Sequence, residues 1–393
     1  MPEYRLNMHK KSILHTALAL AFFASTASFA SEQKPFEPEV LTVEQRIAPG
    51  PNILVLDQSW KGATRINVMN ADDLSNKGIL SAGLVGQLTL TKDGKTAYTV
   101  SAYGKRITSG PTEFVLEEHD VPTLTVKREI ILNPKTINGK TMGSMVGLTE
   151  KEDYAIIQNA TPATSLSIID LKAGKEIAEV PTPGCWGVFP AKKGLAFSTI
   201  CGDGTLAKVE FQPDGSFSVL NKSAPFFDAD KDPIQPVAER AGDDLLFVTY
   251  DGKVLRMNDS GKQPVLKDKF HFTQGVDGDW APGGIQLMAY NEPNQVLFVL
   301  MHPDAKDGSH KNPAEEVWAL DMKSKKLLFR TSVHDLVSIM VSNDKDPVLF
   351  GMTEEGTVTR YEMDKEAKFA GRLTKKVEEV GEWTIFGLTG APL

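Results

Sequence analysis

The chain has 393 residues, 41% of them hydrophobic and 24% charged, which excludes a disordered or fibrous protein and leaves room for a large core. Its formal net charge is −8, from 43 Lys+Arg against 51 Asp+Glu, and that speaks against a basic nucleic-acid surface. Two cysteines exclude a disulfide-dense scaffold, a multi-cysteine zinc cluster and a cysteine-ligated iron–sulfur centre.

Residues 1–30 read as an address. Arg5, Lys10 and Lys11 make a basic start, and an apolar stretch runs from Ile13 to Ala27. Ser28 and Ala30 then supply small residues before a cleavage point after Ala30, the form of a secretory signal peptide. The apolar stretch is too short and interrupted for a membrane span, and no later segment approaches one. Removal takes three basic residues and Glu3, so the exported chain carries 40 positive and 50 negative residues, a net of −10. In an oxidising compartment Cys185 and Cys201 are expected to form a disulfide. The alternative is a redox or metal pair, but the spacing is not C-x-x-C and no His lies between them.

After an N-terminal extension over 31–51, short alternating strands separated by turn signals fill the chain, and helical periodicity is scarce. Asn52–Asp57 is predicted as an inner strand. A recurring unit follows: an alternating strand, a polar turn, then a second strand carrying Lys or Arg. Copies lie near Ile66, Phe114, Leu166, Leu206, Val254, Val317 and Val358, which are 40 to 63 residues apart. Strand-like apolar runs precede them at Thr96–Ser101, Tyr154–Gln158, Leu195–Thr199, Leu245–Tyr250, Val296–Met301 and Val348–Met352. These runs are predicted as the inner strands, because strands near an axis are buried on both faces. A last strand over Trp383–Leu388 would pair with the first. Seven copies of such a period predict an all-β, seven-bladed β-propeller over 52–393, closed by its first and last strands. A pair of β-sandwiches is the competing architecture. Long inter-copy stretches around 272–295 and 302–316 are expected to hold functional loops.

The chemistry-bearing residues are sparse. His302 and His310 sit eight apart with Asp304, Asp307 and Ser309, which is no known zinc spacing. No G-x-S-x-G elbow and no phosphate loop is present. Asp228, Asp230 and Asp232 alternate like the start of a calcium loop, without its Gly or its terminal Glu. Trp60, Trp186, Trp280, Trp318 and Trp383 are expected to be blade packing. No catalytic residue and no metal site is assigned.

The middle of the chain carries a more specific pattern. It runs through Gln158–Ser165, Gly184-Cys185-Trp186, Thr199–Gly204, Asp232-Pro233, Pro282–Gly284, Met301–Asp304, Gly308–Lys311 and Val317-Trp318, with Arg106-Ile107-Thr108 earlier. This series resembles the heavy chain of the quinoprotein amine dehydrogenases, methylamine and aromatic amine dehydrogenase, with the aromatic-amine branch nearer. The resemblance implies a seven-bladed propeller and a Cys185–Cys201 disulfide. It also implies a periplasmic assembly of two heavy and two light chains. The cofactor, tryptophan tryptophylquinone, and the catalytic base would sit on the cysteine-rich light chain, with no cofactor on this one. Primary amines would be deaminated oxidatively, and electrons would pass to a blue-copper protein, azurin or amicyanin. Where the family has a Phe lining the amine channel, this chain has Leu84, within Ala82–Gly86. Ser109–Thr112 also departs from the family's basic pair after Arg106. The competing functions are an exported binding propeller with no redox partner and a propeller lactonase, whose ring of axial calcium ligands finds no clear counterpart here.

Overall fold

Antiparallel hairpins dominate because the chain alternates β-branched and aromatic residues with Asp- and Gly-bearing turns. A computed structural model describes residues 43–58, 62–106, 109–136, 139, 142–381 and 388–391. The expected signal peptide, most of the extension, Trp60 and Trp383 lie outside the described residues. Within the unit Glu44–Leu393, the described strands form seven blades. Five are separate four-stranded sheets, and two are fused into one larger sheet. No helix among the described residues is long and apolar enough to cross a membrane.

Blade 2 shows the pattern. Its strands are Leu84–Leu90, Thr96–Arg106, Ser109–Asp120 and Thr125–Leu132, in that order from the axis outwards. Blade 3 repeats it with Val146–Leu148, Tyr154–Asn159, Ser165–Asp170 and Lys175–Pro181, and blade 4 with Cys185–Pro190, Ala196–Cys201, Leu206–Glu210 and Asn221–Lys222. Blade 5 opens on Glu239–Ala241 and continues through Asp244–Val248, Lys253–Asn258 and Val265–His271. In blade 6, Ala281–Pro282 and Met288–Asn291 both pair with Val296–His302, which pairs in turn with Ala314–Asp321. One strand of 16 residues, Lys326–Val341, is then shared. Its first part pairs with Ala314–Asp321 and its last with Val348–Thr353 of blade 7, and Asp335 turns the chain between them at φ 50°. Val358–Asp364 and Ala370–Val377 complete blade 7.

Blade 1 comes from both ends of the sequence. Asn52–Val55 pairs antiparallel with Leu388–Ala391, while Asn52–Asp57 pairs on its other side with Thr64–Asn70. Asn52–Asp57 is therefore a second strand rather than the inner one. The same correction holds around the ring: the apolar runs predicted as inner strands are all second strands. Tyr154–Asn159, Ala196–Cys201 and Val296–His302 are buried at every position because each lies between two strands and two neighbouring blades. Facing blades interlock through edge-on aromatic pairs, with ring centroids 5.4 Å apart for Tyr154–Phe211 and 5.5 Å for Phe189–Phe247. Each such buried ring or branched aliphatic chain contributes roughly 1.5–3 kcal/mol of transfer free energy. The true innermost strands line the axis, and several are short, as at Val146–Leu148 and Glu239–Ala241.

Candidate functional site

The connections between blades and the hairpins joining second to third strands gather at one end of the ring. Leu84 stands there as the first residue of an innermost strand, paired with Ala102 and 37% exposed. The segment around it is held from three sides. Gly83 N–H donates to Ser101 Oγ at 2.9 Å, Thr64 N–H donates to Gly83 O at 3.0 Å, and Gly86 N–H donates to Thr64 Oγ1 at 2.8 Å. Val85 has φ 54°, a left-handed conformation that is strained for a β-branched residue, and a register shift follows before Gln87. Only glycine fits at position 83, where a Cβ would lie 2.5 Å from Ala102 O and 2.9 Å from the Tyr103 ring. The chain thus holds a strained loop by hydrogen bonds and leaves Leu84 partly exposed at this end of the ring.

Beyond Ala102 the blade 2 hairpin continues past the ring, with Tyr103 38% exposed. Tyr103 donates its hydroxyl to Glu117 Oε1 at 2.8 Å, and Thr99 Oγ1 lies 3.1 Å from Glu117 Oε2 and 3.0 Å from His119 Nε2. Burial raises the Glu117 carboxyl above its ordinary range and lowers the His119 imidazole. Burial, then the Glu117 hydrogen bond, pushes the Tyr103 phenol well upward. This buried network braces the base of the hairpin. Arg106 is described, but Ile107 and Thr108 lie outside the described residues.

Cys185 and Cys201 face each other across the first two strands of blade 4 and are joined, with an S–S distance of 2.01 Å. The bond clips the connection entering blade 4 to the hairpin at Cys201–Thr205, at the same end of the ring as Leu84. Gln158 Oε1 accepts Gly187 N–H at 2.9 Å just beyond it.

The other sequence candidates separate. His302 is 1% exposed, with its Nδ1 2.7 Å from Pro303 O, whereas His310 stacks on Tyr250 at 4.4 Å. The two histidines serve different contacts. Asp228 accepts the backbone N–H groups of Asp230 and Lys231, and Asp232 pairs with Lys253 at 2.6 Å, so the acidic alternation builds a turn and a salt bridge. Trp318 is fully buried and donates to Glu316 Oε2 at 2.6 Å, while Arg330 lies over the Trp280 and Trp318 rings. These two tryptophans pack blade 6, and Trp186 pairs with Ile200 in blade 4.

Sequence reasoning passed over two features. One is the strained Val85, which an alternating pattern does not mark. The other is Glu239, which stands on an innermost strand and lines an axial cavity of about 870 Å³. It becomes conspicuous once the apolar runs are moved to second position and the strands before them are placed at the axis.

The sequence profile described as "Methylamine dehydrogenase heavy chain (MADH)" matches residues 52–389. The chain is 24% identical over 342 residues to the methylamine dehydrogenase heavy chain of Methylobacillus flagellatus, covering 86% of this chain and 84% of that one. It is 26% identical over 322 residues to the heavy chain of Methylophilus methylotrophus, covering 80% and 77%. Among solved structures, a functionally unknown protein from Desulfotomaculum acetoxidans superposes with a TM-score of 0.58 at 11% identity, over 87% of this chain and 99% of that one. The dihydro-heme d1 dehydrogenase NirN superposes at 0.53 with 11% identity, over 89% and 78%. At such identities the superpositions describe the fold alone.

Proposed function

Since the chain belongs to the methylamine dehydrogenase heavy-chain family, we propose that it is the non-catalytic heavy subunit of a periplasmic, tryptophan tryptophylquinone-dependent amine dehydrogenase. Its coarser role, that of an amine dehydrogenase subunit, follows from the family. The family also implies a light-chain partner. In the proposed assembly two heavy chains hold two light chains, and the quinone belongs to the light chain. The net reaction is RCH2NH3+ + H2O → RCHO + NH4+ + 2H+ + 2e−. The carbon bearing nitrogen is oxidised by two electrons, its C–N bond is replaced by C=O from water, and the electrons leave singly to a blue-copper protein.

The observation that carries this reading is the match across the whole ring, from the first described strand through the pinned loop at Leu84 to the closing strand. This chain contributes shape. Leu84 offers an apolar rim at the loop-bearing end, on a loop pinned by Thr64 and Ser101, and the Tyr103–Glu117 bond stiffens the neighbouring hairpin. A rigid rim selects amines by size and contact rather than by charge transfer. In this proposal Leu84 lines the route of the amine to the light chain.

Co-expression of the chain with a light chain of this family, the small, cysteine-rich exported partner that the proposal requires, tests the assignment. The expected product is a complex of both chains with quinone absorbance and amine-dependent dye reduction. A stable colourless monomer that gains no partner and no amine-dependent activity would overturn it, and would leave a binding propeller.

A further inference from the structure

We propose that the axial channel of the propeller is a binding site for a small organic ammonium cation, with Glu239 as its counter-ion. The site lies inside the ring, apart from the rim at Leu84, and does not depend on the light chain.

The channel has a volume of about 870 Å³, within the range of small-molecule sites. Innermost strands of six blades supply its lining, from Leu88 in blade 2 to Met340 in blade 7. The wall mixes apolar side chains, Leu148, Val188, Met288 and Met340 among them, with polar ones such as Thr89, Ser144 and Gln286. Because these strands are sheet edges, one side of each carries backbone groups outside the blade's own ladder.

Glu239 opens the innermost strand of blade 5 and contributes to this wall. Among the described residues it forms no ion pair. The neighbouring cation is already committed: Arg240 holds Asp259 with contacts of 2.6 and 3.1 Å and also donates to Pro190 O. The other charged groups of the wall are Lys92, Glu150, Glu152 and Lys192. Lys92 is engaged with Glu150 O and, through its backbone N–H, with Glu152 Oε1. None of them sets the ionisation of Glu239. Burial pushes its carboxyl up to about 8, opposed only by the backbone N–H of Tyr290. The Tyr290 phenol is itself raised, first by burial.

Glu239 is half-buried at the cavity wall, and a carboxyl held there without a cation costs stability unless something arrives to pair with it. The surroundings select what arrives. A divalent metal needs several oxygen or nitrogen ligands, and no group of three or more Asp, Glu, His or Cys among the described residues could hold one. An anion has the wrong sign. An inorganic monovalent ion would gain nothing from the apolar share of the wall. An alkylammonium places its hydrocarbon on those walls and its charge on Glu239, with edge carbonyls of the innermost strands as further acceptors. The acidic chain as a whole favours entry of cations.

Calorimetric titration of the full exported chain tests this, with n-butylammonium as probe and n-butanol as its neutral analogue. The ammonium is expected to bind at least about tenfold more tightly than the alcohol, and Glu239→Gln is expected to remove that difference. Glu152→Gln, elsewhere on the channel wall, is expected to leave both affinities unchanged. Tetramethylammonium cannot deprotonate, so its affinity should rise about twentyfold between pH 6.5 and 8.5 as Glu239 ionises. Equal binding of ammonium and alcohol, equal affinities in wild type and Glu239→Gln, or a flat pH profile would overturn the proposal. If Glu239→Gln does not fold, carbon-detected titration of glutamate-labelled wild type decides. Saturating tetramethylammonium should lower the Glu239 midpoint by about one unit or more, and an unmoved midpoint refutes the site.

Discussion

At one end of the ring the turns between innermost and second strands are short and self-contained. Thr91 bonds across to Thr96, Thr149 to Tyr154, Ala191 to Ala196 and Ser342 to Val348, each through a backbone N–H. At the other end the chain passes between blades, and its loops are held by bonds from distant residues: Thr64 to Gly86, Gln158 to Gly187, and Cys185 to Cys201. The first end obeys local turn chemistry. Positive φ occurs at both ends, at Glu152 and Gln295 in short turns of the first and at Val85 and Asp335 near the starts of innermost strands in the second. What sets the second end apart is therefore its long-range fixing, by the Thr64 hydroxyl, the Gln158 amide and the disulfide, and a backbone over-determined in that way suits an end that presents side chains to something else.

Blade 4 allows the contrast to be broken with a single type of substitution. Gly194 and Gly204 lie at opposite ends of its second strand, with φ 77° and 81°. A Cβ at Gly194 meets nothing within 4 Å, whereas one at Gly204 would lie 2.4 Å from Phe227 O. Gly204→Ala is expected to cost about 3–5 kcal/mol, from left-handed strain plus a backbone clash. Gly194→Ala should cost only about 1 kcal/mol, from the strain alone. Denaturant unfolding of the two variants checks this, and equal costs would erase the distinction between the ends.

Cys185→Ser with Cys201→Ser probes the same end through the covalent clip. The bridge closes a separation of 16 residues, so its loss is expected to lower stability by about 3 kcal/mol. Calorimetry with and without reductant should agree with the double variant. A change below about 1 kcal/mol would mean that the Gln158 bond to Gly187 and the bond from Val188 N–H to Ser144 O already hold blade 4 in place.

These two ends were unequally legible. The repeat was visible because the third strand of most blades ends on Asp or Asn, as at Asn70, Asp120, Asp170, Asn258, Asp321 and Asp364. In the structure such residues begin the outer turns: Asp170 accepts Ala173 N–H, and Asp321 accepts Lys323 N–H. A local hydrogen bond leaves a local signature. Position along the blade radius does not. The apolar second strands look innermost because burial on both faces reads alike between blades and at an axis. Several innermost strands escaped notice because they are short and mixed: Val146–Leu148 has three residues, and Glu239–Ala241 has Glu and Arg among its three. The Leu84 position came from resemblance, since nothing in its own side chain marks a rim.

Glu239 sharpens the contrast from inside the ring, through stability rather than binding. Its carboxyl lies near 4.5 when exposed and about 8 when folded. The folded protein therefore holds a proton that the unfolded chain releases, and stability falls as pH rises from about 4.5 to 8. Glu239→Gln removes that dependence. Its melting temperature is expected to exceed that of wild type at pH 8.5, with the gap closing toward pH 5. A gap of constant size across that range would assign the effect to packing instead of charge.

The smallest effect on the fold, and the most direct on function, is expected from Leu84→Phe. Leu84 is 37% exposed, so a ring can extend outward without entering a blade, and stability should change by less than about 0.5 kcal/mol. If Leu84 borders the path of the amine, the larger ring narrows that path. In the assembled enzyme, kcat/KM for bulky primary amines relative to small ones should then fall about three- to tenfold, with turnover retained. Thr64→Ala removes the acceptor for Gly86 N–H and frees the loop that carries Leu84. Combined with Leu84→Phe it should blunt the shift, because a mobile ring no longer defines the width of the opening. Unchanged amine preferences in Leu84→Phe would refute the channel role, and an undiminished shift in the double variant would show that the pinning of the loop contributes nothing to selection.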